Sequence, residues 1–532
     1  MPVARSIADA AIAPPTGTSG RTPTVPRVGT IARMLTLLLL ATCAADAPQA
    51  TTDGTPDAAP PNVVVIWSDD LTLTGLGCYG AAPAHTPNLD RLAARSLVFD
   101  AAYCAYPVCG PTRAAAMAGM DAEALGIMGN GASARIDAAL GDRPSMSQAI
   151  AAAGHARLRS GKIYHMRVPG DITAGVAPMD HAASWEETFN AHAPEWMTEG
   201  EAENISNTRI TMDPEGHYDL GFGGAFYAVK GSSDGHEQAD HQIATAALDM
   251  LDRHADGPFY LAVGFVRPHV PLVAPASLFE ALPAESFTPP EVPAGDQDDI
   301  PKRLRGRSFA ALRDSQTGRK QRVLQGYAAA IAFLDQQVGR VLDDLDARDL
   351  TDRTIVVFLS DHGYHLGEHD FWQKMSLHDE SARIPMMIAG PGIRPGRTAA
   401  LVQQIDLYPT LCELVGVDVP PHVQGRSLVP LLREDVARDE PAAIHDAVST
   451  VSSNGRLLRT PQHAYLVGRD GERAIYDMAA DPQQHTNLAG TAAGDAVQPQ
   501  LEAAMTQLLT ERGITSTPKQ RRGRGRKAAA SR

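Results

Sequence analysis

The chain has 532 residues, of which 44% are apolar and 20% charged, and it carries a net charge of -15. Apolar content at this level supports a large core and excludes a mainly disordered chain, while the acidic balance argues against nucleic acid as a partner. The five cysteines are odd in number and include no Cys-x-x-Cys pair, which argues against a disulfide framework and against a thiolate zinc or redox site. Three of them, Cys78, Cys104 and Cys412, are expected to be buried free thiols.

In chain order, Arg33 precedes the apolar run Met34 to Thr42, which is too short to span a bilayer and long enough for the apolar part of an export signal. Leu40-Ala41-Thr42-Cys43 is similar to a bacterial lipobox, in which Cys43 would be lipidated; Thr42 departs from the glycine or alanine preferred there. Residues 1–43 are thus expected to direct the protein to the periplasm or cell surface, with Cys43 as the candidate lipid anchor to a membrane. Either Met34 is the true start or the residues before it are an extension. Residues 44–60, rich in Ala, Pro, Thr and Asp, read as a flexible tether, and 515–532, with its Arg-Arg-Gly-Arg-Gly-Arg-Lys run, as a basic disordered tail.

From Pro61 the pattern becomes α/β. The continuous apolar run Asn62 to Trp67 predicts a strand buried on both faces, and similar runs recur at 258–266, 354–360 and 384–390. Helical spacing covers 238–254 and 321–347, the second with Tyr327, Ile331, Leu334, Val338, Leu342 and Leu345 on one stripe. Strands alternating with helices imply a mainly parallel sheet, whose ligands bind beyond the carboxyl ends of the strands. Asp69-Asp70 and Asp361-His362 both follow strands directly, so both are expected at one site. A solvated acidic turn or a helix N-cap would account for either pair alone. Brought together, carboxylates repel and raise each other's pKa, and a hard divalent cation is the physical resolution.

About forty residues after Asp70 comes Cys109-Gly110-Pro111-Thr112-Arg113. This run resembles the Cys-x-Pro-x-Arg signature of the type I sulfatases, in which the cysteine is oxidised to formylglycine (3-oxoalanine). A hydrated aldehyde attacks the sulfur of a sulfate ester and keeps a second hydroxyl that can expel sulfate, splitting one hard step into two. The resemblance implies that Asp69, Asp70, Asp361 and His362 bind one calcium ion together with residue 109. It also implies an alkaline-phosphatase-like fold: a mixed, mainly parallel sheet sandwiched by helices, with a catalytic domain at 61–440 and a smaller α+β subdomain at 441–514.

Gly161-Lys162-Ile163-Tyr164-His165 and Arg267-Pro268-His269-Val270-Pro271 are similar to segments of the iduronate-2-sulfatase-like branch. There Lys162 and His165 would contact the sulfate and the nucleophile, and His269 would bind sulfate or act as general acid. Lys374 matches a lysine placed over the bridging ester oxygen, and Arg113 would hold the diol and a metal ligand. The implied substrate is a sulfated sugar or polysaccharide, and the implied maturation partner a formylglycine-generating enzyme. The signature usually continues as Leu-x-Thr-Gly, whereas Ala116-Met117-Ala118-Gly119 follows here, which puts maturation in doubt. Leu71-Thr-Leu-Thr-Gly75 lacks the Arg-Pro of the animal iduronate sulfatases, so their sugar specificity does not transfer. Two other readings stay open. His362, His365, His369 and His378 beside Asp361 and Glu368 could form the zinc site of a phosphoesterase, and an unmatured relative could bind sulfated glycans without turning them over.

Overall fold

The computed structural model describes residues 59–515, apart from 82, 84, 212–220, 314–317 and 434–442. The export signal, Cys43, the tether up to residue 58 and the tail from 516 lie outside the described residues. The strand Asn62–Asp69 is the centre of a nine-stranded sheet. Phe259–Pro268 and Thr354–Ser360 flank it in parallel. Beyond the first lie Ala156–Gly161 and Glu187–Phe189; beyond the second lie Arg383–Ala389, Leu97–Tyr103 and the short strands Gly396–Thr398 and Val402–Gln403.

Alternate residues of the central strand enter different cores, which is why its sequence is apolar without interruption. Val64 and Ile66 pack with the helices Ala239–His254 and Arg319–Ala347, whereas Val63, Val65 and Trp67 pack with Cys109–Ala118 and Leu407–Val415. All six residues of the predicted stripe on Arg319–Ala347 are buried. The sheet is mainly parallel, as expected, with one exception. Arg383–Ala389 runs antiparallel to both neighbours. It is reached from Thr354–Ser360 through residues 361–382 rather than through a long crossover helix, and a return of that kind reverses the strand direction.

A four-stranded antiparallel sheet, Val448–Val451, Gly455–Arg459, His463–Gly468 and Arg473–Asp477, follows. One face carries the helix Ala492–Glu511 through Leu501, Met505 and Leu508. The other face packs Leu457, Leu466 and Tyr476 against Phe371 and Leu377 of the 361–382 segment. Cys104 and Cys412 are buried free thiols as expected, and Cys78 is only half-buried.

Candidate active site

The central strand ends at Asp69, and Asp70 turns the chain with φ +67°, a left-handed conformation that aspartate tolerates better than most residues. Tyr327 holds that turn: its hydroxyl donates to Asp70 O (2.6 Å) and accepts from Thr72 N–H (2.9 Å). One strand over, Ser360 is level with Ser68, so Asp361 emerges beside the aspartate pair. Asp70 N–H and His362 N–H both donate to Asp361 Oδ1, at 3.1 and 3.0 Å.

Cys109 is the first residue of Cys109–Ala118, and Arg113 lies one turn along it, fully buried. The guanidinium donates to Asp361 Oδ2 (2.9 Å), Lys162 O (2.6 Å) and Ser68 O (2.9 Å), tying three strand ends together. Thr112 Oγ1 donates to Gln404 Oε1 (2.6 Å), and the Gln404 amide donates to Ser360 O and Asp361 O, which fixes the helix over the acidic strand end.

Lys162 reaches the site because Gly161 and Gly264 let two strands touch. A Cβ on Gly161 would lie 2.2 Å from Gly264 O, and one on Gly264 would lie 1.9 Å from Lys162 O. The Lys162 ammonium pairs with Asp69 Oδ2. Lys374 donates to Asp70 Oδ1 (2.5 Å) and to Cys109 Sγ (3.1 Å). His269 lies between two cis peptide bonds, with Nδ1 donating to Val270 O (2.6 Å) and Nε2 3.8 Å from Asp70 Oδ2. His165 is buried, with an unpartnered Nδ1, within electrostatic reach of Lys162 and Asp69.

Burial alone would raise the Asp69 carboxyl, but Lys162 and Arg113 override it and hold Asp69 well below the usual carboxylate range. Asp70 is likewise lowered against its burial, by Lys374 and the facing histidines. Burial would strip the charge from Lys374; the Asp70 and Asp69 carboxylates reverse this and raise it well above its ordinary value. Burial and the Asp69 charge push the Cys109 thiol up, so an unmodified Cys109 is a protonated thiol and a poor nucleophile at neutral pH. Burial pushes His269 down to about 4 and His165 well below its ordinary value.

One arrangement offers a place for a cation. His362 Nδ1 faces Gly363 O at 2.9 Å, which leaves Nε2 directed toward Asp70 Oδ1, 3.2 Å away, and Cys109 Sγ, 3.5 Å away. A cation bound among these atoms would satisfy the ring nitrogen and the carboxylate together. Asp69 Oδ1 and Asp70 Oδ2 are also buried without a hydrogen-bond partner. The donor atoms of Asp69, Asp70, Cys109 and His362 all lie within 4.8 Å of one another. Asp361 adjoins them, with Oδ1 3.7 Å from His362 Nε2. A hard ion fits this oxygen-rich set.

The sulfatase family model matches residues 61–417, and the C-terminal model of N-sulphoglucosamine sulphohydrolase matches 367–511. The chain belongs to the sulfatase family. A sulfatase of Formosa agariphila is 30% identical over 81% of this chain and 83% of its own length. Human iduronate 2-sulfatase is also 30% identical, over 86% of this chain and 85% of its own. The fold is shared with the phosphonate monoester hydrolase of Agrobacterium radiobacter, at TM-score 0.68 and 20% identity over 85% of this chain and 96% of that one. It is shared too with a protein solved in complex with its substrate D-glucosamine-2-N,6-O-disulfate, at TM-score 0.64 and 20% identity over 87% and 100%. The chain is thus a sulfuric ester hydrolase of the alkaline-phosphatase-like fold.

The candidate site gathers Asp69, Asp70, Cys109, Arg113, Lys162, Asp361, His362, His269 and Lys374, with His165 beside them. Its histidine-rich stretch does not act as one unit. His362 alone of the four histidines faces the aspartates; His365, His369 and His378 turn away and cluster with Phe371 and Tyr476, which removes the basis for a four-histidine zinc active site. Several supporting residues carry no readable signal in the sequence. Tyr327 and Gln404 sit on helical elements and look like packing residues there. Glu195 pairs with buried Arg267 (3.1 Å), and Asp240 accepts from Val266 and Arg267 N–H (2.7 and 3.0 Å), so both set the strand end that bears His269.

Proposed function

We propose that this sulfatase removes sulfate from a sulfated sugar or polysaccharide, with residue 109 oxidised to formylglycine and one calcium ion held by Asp69, Asp70, Asp361 and His362. The observation that carries the reading is the shell around Asp70 Oδ1, where His362 Nε2, Lys374 Nζ and Cys109 Sγ converge at 3.2, 2.5 and 4.0 Å. When present, the ion and the hydrated aldehyde supply electrophilic polarisation of a sulfate oxygen and a nucleophilic oxygen. The protein supplies the rest. Lys162, Lys374 and Arg113 are fixed cations that offset the charge of the sulfate group, in a pocket where burial strengthens each interaction. Lys374, touching Sγ of residue 109, orients that side chain. His269 offers Nε2 to accept or return a proton, since its Nδ1–H is held by Val270 O; His165 is the second proton-handling group.

Substrate class is supported by the iduronate 2-sulfatase likeness and by the sulfated glucosamine bound to a protein of the same fold. Export, with Cys43 as lipid anchor, belongs to the same reading, because a sulfated polysaccharide is met outside the cell. Expression with a formylglycine-generating enzyme, followed by mass measurement of the tryptic peptide Ser96 to Arg113, tests the central claim. An aldehyde in place of the thiol, with turnover of a sulfate ester that follows the converted fraction, is the expected result. A thiol that stays intact while sulfate esters are still hydrolysed would overturn the formylglycine assignment.

A further inference from the structure

A second cluster lies outside the sulfatase site and is not explained by it. Asp296, His369 and His485 come from three distant segments, yet their donor atoms all lie within 4.8 Å of one another. Asp296 and His369 are buried, and His485 is part-exposed. Asp296 Oδ2 is 2.9 Å from His369 Nδ1, and Oδ1 is 2.7 Å from His485 Nδ1. His485 Nε2 lies 3.2 Å from Gln483 Oε1, so both ring nitrogens face oxygen acceptors, and one ring proton satisfies only one of them. A cation at Nδ1, with the proton on Nε2, satisfies both. His369 Nε2 and His378 Nδ1, in rings 4.8 Å apart, are buried without any partner, so the protein does not complete this network by itself.

We propose that Asp296, His369 and His485 form a transition-metal site, of the type that takes zinc, distinct from the calcium-type site of the reaction. Two imidazole nitrogens and a carboxylate oxygen are a donor set that suits zinc and is poor for calcium. The two histidine nitrogens approach different oxygens of Asp296, at 2.9 and 2.7 Å, so the carboxylate would chelate or turn to let one ion lie about 2.0–2.1 Å from both nitrogens. The part-exposed side of His485 leaves room for ion access and for a solvent molecule as fourth ligand. Each Nδ1 binds through its lone pair, so both rings carry their one proton on Nε2, that of His485 toward Gln483, and only a ring that starts doubly protonated releases a proton to solvent.

The site is a staple. His369 belongs to the segment that carries Lys374, and His485 to the turn between Arg473–Asp477 and Ala492–Glu511. Hydrogen bonds already converge there: Gln297 donates to His369 O (2.6 Å), Asn487 N–H to Asp299 (2.9 Å) and Asp379 N–H to Gln484 Oε1 (2.8 Å). An ion would lock the lysine segment against the C-terminal sheet.

Metal analysis of the purified full chain, dialysed against zinc and then against zinc-free buffer containing calcium, decides the question. About one zinc per chain is expected, with a raised melting temperature. D70N, which damages the calcium-type site, should keep its zinc. H485Q should lose it about tenfold or more, and D296N serves as the second variant if H485Q does not fold. Zinc absent from the wild-type protein, or held equally by H485Q and D296N, would overturn the proposal; so would zinc lost in D70N, which would place the ion at the sulfatase site.

Discussion

Two buried polar clusters share the stretch from Asp361 to His378, and they are built on opposite principles. The first gathers the carboxylates of Asp69, Asp70 and Asp361 with the cations Arg113, Lys162 and Lys374, so each buried acid faces a buried base. The second gathers His365, His369 and His378, which burial pushes toward the neutral form, with Asp296 against His369. Charge density that is costly to bury suits binding and turnover of an anion; neutral imidazoles suit packing or a softer ion. The chain moves from one cluster to the other through strained backbone, since His369, Asp370, Gln373 and Met375 all have positive φ. That strain lets Lys374 point to one cluster while Phe371 and Ser376, on either side of it, face the histidines of the other.

Removing the proposed nucleophile should break the first cluster most severely. C109A is expected to lower kcat/KM on a sulfate ester by about 10⁴-fold or more while leaving the melting temperature nearly unchanged, measured by steady-state kinetics alongside calorimetry. A fall of only tenfold would mean that residue 109 is not the nucleophile. Next in size is the support beneath His269. E195A strands the buried Arg267 guanidinium and should cost roughly 3–5 kcal/mol in a denaturant melt, because an unpaired buried charge is expensive. Loss of under about 1 kcal/mol would show that water reaches Arg267.

K374A separates the two clusters, since this side chain serves only the first. A loss of about 10²–10³-fold in kcat is expected, as for removal of one preorganised electrostatic donor, and stability measured in the same preparation should change little. Y327F should cost about 1–2 kcal/mol of stability, read from urea unfolding, because Asp70 O and Thr72 N–H both lose their partner.

The smallest effect sharpens the second cluster. Its histidines titrate lower in the folded protein than unfolded, so the unfolded chain binds the extra protons as the pH falls. Their share of the stability is present above the unfolded value of about 6.5 and is lost below it. H378N removes one such site and should make the melting temperature fall less steeply than in wild type between about pH 7 and pH 5.5. Parallel slopes in a thermal-shift series would show that His378 is not a buried neutral group.

Much of the first cluster was legible because its members sit in local signals: acids directly after apolar strands, and Cys109 four residues before Arg113 on one helix. The sheet was legible for the same reason, since a strand buried on both faces must be apolar throughout. Tyr327 and Gln404 were not legible, because their partners, Asp70 O at 257 positions and the Thr112 hydroxyl at 292, leave no trace in their own neighbourhoods. The reversal of Arg383–Ala389 was hidden too, as strand direction depends on how the preceding segment returns and not on the strand's composition.

What the amino-acid order determined by itself, then, is the family, the strand-end acids and the Cys-x-Pro-x-Arg run, all of which rest on short-range spacing. The division of one histidine-rich stretch between two clusters was decided only in the folded chain. Asp296 and His485 meet His369 across 73 and 116 residues of sequence, and only packing of the C-terminal sheet on the 361–382 segment brings them within bonding distance.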